Sequence, residues 1–159
     1  GSPVFPRSYF ARLVREFPSE TLLLTVCHRG EPVAAALSFV FRGTLLPYYA
    51  GSSAAAPALA ANDFLYWELM CRGRECGAGT FDFGRSRIGS GAWAYKRNWG
   101  FAPRPVVYRR HAAAAPLPAE RSIDSPALRL LRQGWRHVPL AVTKVLGPPL
   151  LRRYGVRFT

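Results

Sequence analysis

The sequence predicts a mixed α/β (α+β) fold, a mostly antiparallel twisted sheet flanked by helices, with a basic C-terminal helical tail. Three observations predict it. Two Arg-Gly pairs, at 29–30 and 42–43, punctuate a run of apolar segments between Thr21 and Ala50 in the manner of tightly linked strands. A helical pattern precedes that run and a capped helix follows it. The length of 159 residues, 49% hydrophobic and 13% aromatic, suits one domain with a core and excludes disorder throughout.

The elements follow in order. Pro6 to Phe17 reads as an amphipathic helix, with Tyr9, Phe10, Leu13, Val14 and Phe17 at helical spacing and Arg7, Arg12 and Arg15 opposite. Thr21 to Cys27 is a strand, and Arg29-Gly30-Glu31 turns it into a second, Val33 to Phe41. That middle strand is continuously apolar, as expected of a strand covered on both faces. Arg42-Gly43 turns the chain again into Leu45 to Ala50. Asn62-Asp63 offers an N-cap for a helix from Phe64 to about Cys76, ended by Gly77. Phe81 to Gly84 alternates as a short strand, Gly91 to Trp99 is a short aromatic helix closed by Gly100, and Val106 to Arg110 is a last strand.

Charge divides the chain. Residues 1–103 carry eleven basic and seven acidic side chains, whereas 104–159 carry eleven and two. The tail therefore suits an anionic partner, although twenty arginines against two lysines also fit an Arg-rich proteome. An Ala/Pro linker spans 112–124 and separates the 1–111 domain from the tail, 125–159. In the tail Leu128, Leu131 and Trp135 lie on one helical face with Arg129, Arg132 and Arg136 on another, a pattern suited to peripheral contact with the cytoplasmic membrane face. There is no apolar run of spanning length and no signal-peptide pattern. Cys27, Cys71 and Cys76 show no paired spacing and read as reduced, partly buried thiols, which predicts a cytoplasmic location, peripheral to the inner membrane where the tail engages it. His28, His111 and His137 are scattered, so no metal site is expected.

A meander followed by helix, strand, helix and strand is the order of a GNAT domain, the acetyl-CoA N-acyltransferase superfamily. Local motifs carry a closer likeness. Pro47-Tyr48-Tyr49-Ala50-Gly51-Ser52, Ala61-Asn62-Asp63-Phe64-Leu65-Tyr66-Trp67-Glu68-Leu69-Met70, Phe81-Asp82-Phe83-Gly84-Arg85-Ser86 and Ala94-Tyr95-Lys96-Arg97-Asn98-Trp99-Gly100-Phe101 occur in register. Together they resemble the C-terminal half of Fem-like (FemAB-related) proteins, particularly the subgroup beside exopolysaccharide and PEP-CTERM/exosortase genes. The resemblance implies an acyl- or aminoacyltransferase acting on an amine of a cell-envelope or exopolysaccharide-related substrate. It also implies an upstream GNAT-like domain, since Fem-like proteins carry two in tandem. The acceptor would be a small-molecule, lipid-linked or nucleotide-linked envelope precursor, with tRNA a further partner.

In GNAT folds the backbone after the fourth strand splays open to bind the acyl carbonyl. The corresponding place here is Tyr49-Ala50-Gly51-Ser52-Ser53, which makes Tyr49, Gly51 and Ser52 candidate substrate-binding residues. This stretch lacks the Arg/Gln-x-x-Gly-x-Gly/Ala cradle for a CoA pyrophosphate, so no tightly bound cofactor is expected. The resemblance implies aminoacyl-tRNA as the donor, with acyl-CoA the alternative. Lys96, one of two lysines and set among Trp93, Tyr95 and Trp99, matches a family lysine associated with acyl transfer, where its charge can stabilise an oxyanion. Its other reading is a solvated lysine or one paired with Asp82. Asp82 is a candidate general base or a partner that orients Lys96, and Arg85 and Tyr95 are candidate substrate contacts. Two further readings stay open: a non-catalytic GNAT-like binding module of a polysaccharide system, and a basic RNA- or membrane-binding protein.

Overall fold

The computed structural model describes residues 5–107, 134–135 and 137–154. Leu13–Pro103 forms one compact unit, and the described residues before and after it belong to a second. The chain opens with α1 (Arg7–Glu16), then β1 (Thr21–His28), β2 (Glu31–Phe41) and β3 (Thr44–Ser52). After these come α2 (Ala61–Glu75), β4 (Thr80–Phe81) and α3 (Gly91–Arg97). A helix here named α4 (Leu140–Tyr154) lies in the second unit.

The predicted meander is present because its turns supply the needed backbone. Arg29 and Gly30 take φ of 52° and 84°, and Arg42 and Gly43 take 48° and 71°. Two consecutive positive-φ residues make the hairpin turn whose twist matches the flanking strands, and glycine adopts that geometry without strain. His28 therefore pairs with Glu31 and Phe41 with Thr44. The sheet runs β1-β2-β3-β4, antiparallel except for the parallel β3–β4 pair.

The continuously apolar β2 is the centre of this unit, with Val33, Ala34, Ala36, Leu37 and Ser38 all buried. Below it α2 presents Ala61, Leu65, Leu69 and Gly73, a spacing of four that makes one helical stripe. Leu65 and Leu69 are fully buried against Val33, Ala34, Ala36 and Leu45. Gly73 sets how close the helix comes: a Cβ there would lie 2.7 Å from Leu45 Cδ1 and 3.3 Å from Leu45 Cβ.

Three expectations need correcting. The helix starts at Ala61, not Phe64, and its N-cap is Ala60 in a left-handed conformation with no side-chain cap. Turns through Ser53–Ala60 wind directly into it, with Ala61 N–H donating to Ala56 O (3.0 Å) and Phe64 N–H to Ala60 O (3.1 Å). Asn62 and Asp63 thus fall inside the first turn instead of capping it. The strand expected over Phe81 to Gly84 shortens to Thr80–Phe81, for a reason given below. Val106 and Val107 are exposed and irregular, and the remainder of that expected strand lies outside the described residues.

The predicted linker 112–124 and the tail up to residue 133 also lie outside the described residues. Within the tail, α4 exposes Val142, Val145 and Leu146 and carries Pro148 and Pro149 inside the helix. No described helix is long and apolar enough to cross a membrane. Of the three cysteines, Cys71 is half-buried, as expected of all three, whereas Cys27 and Cys76 are exposed.

Gly73→Ala tests the close approach of α2. Alanine favours a helix over glycine by about 1 kcal/mol, yet here its methyl meets fully packed Leu45, so a net loss of about 1–2 kcal/mol is expected. Urea unfolding of Gly73→Ala, Leu45→Val and the double variant reads this as a coupling between the two sites. A single variant as stable as the parent would mean that Leu45 turns aside freely.

Candidate functional site

The site begins where the parallel ladder stops. Thr44 pairs with Thr80 and Leu45 with Phe81, and Asp82 N–H donates to Leu45 O at 2.9 Å. In a parallel ladder the next bond would run from the N–H of residue 47 to the carbonyl of residue 82. Residue 47 is proline and has no N–H. The ladder ends there, which is why β4 is two residues long and why β3 and the chain after β4 part company.

The next residue deepens the opening. Leu37 pairs with Tyr49 and Ser38 with Pro47, leaving Tyr48 as the extra residue of a β-bulge. Beyond the bulge β3 keeps its bonds to β2, and Ser53 N–H donates to Val33 O at 2.8 Å. By the alternation of antiparallel pairing, the N–H and C=O groups of Ala50 and Ser52 then point away from β2, toward the side β4 has vacated. The expected splay is therefore present on the β4 side only. Tyr49 is half-buried, edge-on to the Tyr48 ring at 4.9 Å, and Gly51 and Ser52 are exposed.

At the C-terminal end of β3 and β4, α2 and α3 wall a cleft of about 470 Å3 lined by Asp63, Tyr95, Asn98 and Trp99. Asn62, one residue before Asp63, donates to Ser52 Oγ at 3.5 Å and so ties the end of β3 to the cleft wall. Aromatic rings pack around its Tyr95 and Trp99. Tyr66 stacks on Phe83 (5.6 Å, 9°) and meets Tyr95 edge-on at 5.6 Å, and Phe83 also approaches Phe81 at 4.9 Å and Phe101 at 5.4 Å. Burial pushes the Tyr66 phenol above its usual range.

Tyr95 is the most perturbed group in the cleft. Its hydroxyl is buried and makes no hydrogen bond of ordinary geometry among the described residues, although Trp99 and Asp63 are near enough to act on its titration. Burial first, with the Asp63 carboxylate adding to it against an opposing contribution from Trp99, pushes the phenol up to about 12. The proton is thus firmly held at neutral pH, on a hydroxyl free to donate to a ligand.

Lys96 faces elsewhere. Its ammonium donates to the carbonyls of Phe83, Gly84 (3.3 Å) and Arg85 (3.4 Å), the segment that follows β4. Burial lowers its affinity for a proton and the charge of Asp82 partly restores it. Asp82 Oδ1 itself accepts from Gly84 N–H at 2.8 Å and closes the turn that carries those carbonyls. Arg85 is exposed and enters this group through its backbone.

The predicted residues therefore fall into two groups on either side of the opening: Tyr49, Gly51 and Ser52 on β3, and Asp82, Arg85, Tyr95 and Lys96 beyond β4. Asp63, Asn98 and Trp99 were not anticipated as lining. The four-residue stripe Ala61, Leu65, Leu69 and Gly73 was the available signal, since it starts the helix early enough to put Asp63 on its open face. Among the described residues no group of His, Cys, Asp and Glu has metal-binding geometry.

The model of a family described as the acetyltransferase (GNAT) domain matches residues 1–97. The chain belongs to the GNAT acetyltransferase family. No curated protein matches it. The aminoglycoside N-acetyltransferase AAC(6')-Iy, solved with the bisubstrate analogue CoA-S-monomethyl-acetylneamine, has TM-score 0.55 at 12% identity, over 69% of this chain and 84% of that one. Apo aminoglycoside 6'-N-acetyltransferase AAC(6')-IG from Acinetobacter haemolyticus has TM-score 0.53 at 12% identity, over 67% and 82%. An acetyltransferase from Trypanosoma brucei has TM-score 0.50 at 15% identity, over 66% and 77%. At such identities the likeness establishes the GNAT-like fold, with its mixed sheet and flanking helices, and that agrees with the prediction.

The GNAT cleft can be checked by alkaline titration. One phenol is expected to ionise near pH 12 in the ultraviolet spectrum and to vanish in Tyr95→Phe. Asp63→Asn should move it down only in part, because burial is the larger cause. The folded value lies above the unfolded value of 10.0, so the Tyr95 contribution to stability is complete below pH 10 and is lost as pH rises toward 12. Ionisation of every phenol near 10 would show the hydroxyl to be solvated.

Proposed function

We propose that this domain is a GNAT acyltransferase that moves an acyl or aminoacyl group from an activated donor to an amine, with Tyr95 as the acid for the leaving group. The observation that carries the reading is a cleft that holds the buried Tyr95 hydroxyl and is tied through Asn62 to Ser52, at the end of a β3 whose ladder to β4 stops at Pro47. The neutral amine attacks the donor carbonyl carbon, and the N–H groups of Ala50 and Ser52 receive the oxyanion. As the C–S or C–O bond breaks, Tyr95 O–H passes its proton to the departing sulfur or oxygen. The proton released by the amine returns to Tyr95 through water beside Asp63.

The Fem-like motifs support an amine on a cell-envelope or exopolysaccharide-related precursor and, within the same reading, an upstream GNAT-like domain and aminoacyl-tRNA as donor. The acyltransferase unit is taken as 1–111, with 112–124 as linker. The tail 125–159 is proposed to rest peripherally on the cytoplasmic membrane face, a role that the exposed Val142, Val145 and Leu146 of α4 favour.

Acyl-CoA fits only in part. The similar enzyme AAC(6')-Iy holds a CoA conjugate. Yet this chain has no lysine or arginine between Arg42 and Arg72, and the Ser53–Ala60 turns spend the N–H groups of Ala56, Leu59, Ala60 and Ala61 on their own carbonyls. Little is left there for a diphosphate. That observation favours a second reading, a non-catalytic GNAT-like binding module of a polysaccharide system.

Thermal-shift binding with acetyl-CoA, a charged acceptor-stem mimic and UDP-linked sugars, followed by turnover with the ligand that binds, separates the two. Transfer to an amine, with kcat in Tyr95→Phe down about 100-fold and Tm nearly unchanged, is expected. Binding of a UDP-sugar without turnover in the full-length protein would assign the module reading instead.

A further inference from the structure

We propose that Lys96 is a positioning residue: its ammonium gathers the carbonyls of Phe83, Gly84 and Arg85 and so fixes α3, and with it the Tyr95 hydroxyl, against the segment that follows β4. This rests on the acyltransferase reading for its functional consequence, though not for its structural content.

The argument starts from the ladder. Because β4 ends at Phe81, the segment that follows is no longer held by β3, and the Asp82 and Gly84 carbonyls, which the alternation of the ladder would have aimed at β3, lose that partner. The Phe83 carbonyl lies in a half-buried place, where going without a partner is costly, whereas those of Gly84 and Arg85 are exposed. Lys96 carries three N–H donors on one atom and directs them at three successive carbonyls, those of Phe83, Gly84 and Arg85. All its donors are then engaged, and none remains for a substrate oxyanion.

The attachment matters because α3 has little else of its own. It is seven residues long, from Gly91 to Arg97, and an isolated helix of that length is not stable in water. Ser90 caps it by accepting from Trp93 N–H, and rings of Tyr95 and Trp99 reach the aromatic cluster. Lys96 adds a polar anchor next to Tyr95 in the chain. Asp82 supports that anchor twice, through its charge and through the Gly84 N–H bond that shapes the turn.

A positioning role and a charge role differ in what arginine does. Arginine keeps the charge but spreads its donors over a planar fork, which cannot converge on three carbonyls as an ammonium does. The experiment compares Lys96→Met, Lys96→Arg and the parent protein by ultraviolet titration of Tyr95 without substrate, identified by subtraction of each Tyr95→Phe partner. Steady-state kinetics follow. In both variants the Tyr95 ionisation is expected to fall from about 12 toward 10, with kcat down about 10-fold or more and KM for the donor little changed. If Lys96→Met does not fold, Lys96→Gln carries the same measurement, with a smaller shift in the same direction expected.

An unmoved Tyr95 titration in folded Lys96→Met and Lys96→Gln would overturn the proposal, as would full kcat in Lys96→Arg with activity lost in Lys96→Met. A titration that moves as expected in a protein that transfers to no amine would instead sink the acyltransferase reading and leave the positioning role standing.

Discussion

Where β3 reaches Pro47 the parallel ladder can gain no further bond, and the polar groups on both sides of the break must be satisfied in some other way. On the β3 side the bulge at Tyr48 turns Ala50 and Ser52 outward, where water or a ligand serves them. On the β4 side the solution is internal: Asp82 takes the Gly84 N–H, and Lys96 takes the next three carbonyls. The opening and the short strand are thus consequences of one missing donor, and the half-buried Lys96 holds the segment that follows. A residue with an N–H at position 47 would permit the ladder to continue and would draw together the walls that the cleft needs apart.

Two kinds of packing hold those walls. Beneath the sheet the contact is aliphatic and close, with Leu65 and Leu69 of α2 filling the space under β2 and Gly73 letting the helix settle onto Leu45. Next to α3 the contact is aromatic, through Tyr66, Phe81, Phe83, Trp99 and Phe101. Ring pairs of this type add about 0.5–1.5 kcal/mol each beyond the area they bury, and they tolerate small changes in angle better than interdigitated aliphatics. The closer packing therefore lies beneath the sheet, and the more adaptable packing lies beside the residues that line the cleft.

Most of the fold was legible in the sequence because it is written in local signals. Arg29-Gly30 and Arg42-Gly43 determine the turns, and the apolar run of β2 identifies the central strand. The start of α2 was misread because Asn62-Asp63 looks like a cap, whereas backbone turns through Ser53–Ala60 cap the helix without any side chain. The site was less legible, since it depends on distant residues meeting. Asp63 and Tyr95 are 32 positions apart, and nothing local in either says that they share a cleft. Lys96 was singled out for its company, yet its partners are carbonyls, which every residue has and no sequence motif marks. The break at Pro47 was visible as a letter, but its meaning required knowing that residue 47 faces β4.

Electrostatics within the cleft bear on what can react there. The chain is strongly basic overall, but the stretch from 43 to 71, which supplies Asp63, contains no basic side chain. Asp63 sits in the first turn of α2, where the helix dipole favours a carboxylate. The α2 wall of the cleft therefore attracts a cationic amine and offers a diphosphate no basic side chain. For the proposed transfer that attraction has a cost, because a carboxylate beside an ammonium holds its proton and the nucleophile must be neutral. Tyr95 resolves part of the conflict. Its own proton is retained until a leaving group with developing negative charge calls for it, and the phenolate then formed beside Asp63 is a strong acceptor for the proton the amine must give up. Burial, with Asp63 adding to it, pushes the phenol up to about 12, so in the proposed transfer its anion is short-lived and loss of the leaving group is coupled to deprotonation of the nucleophile.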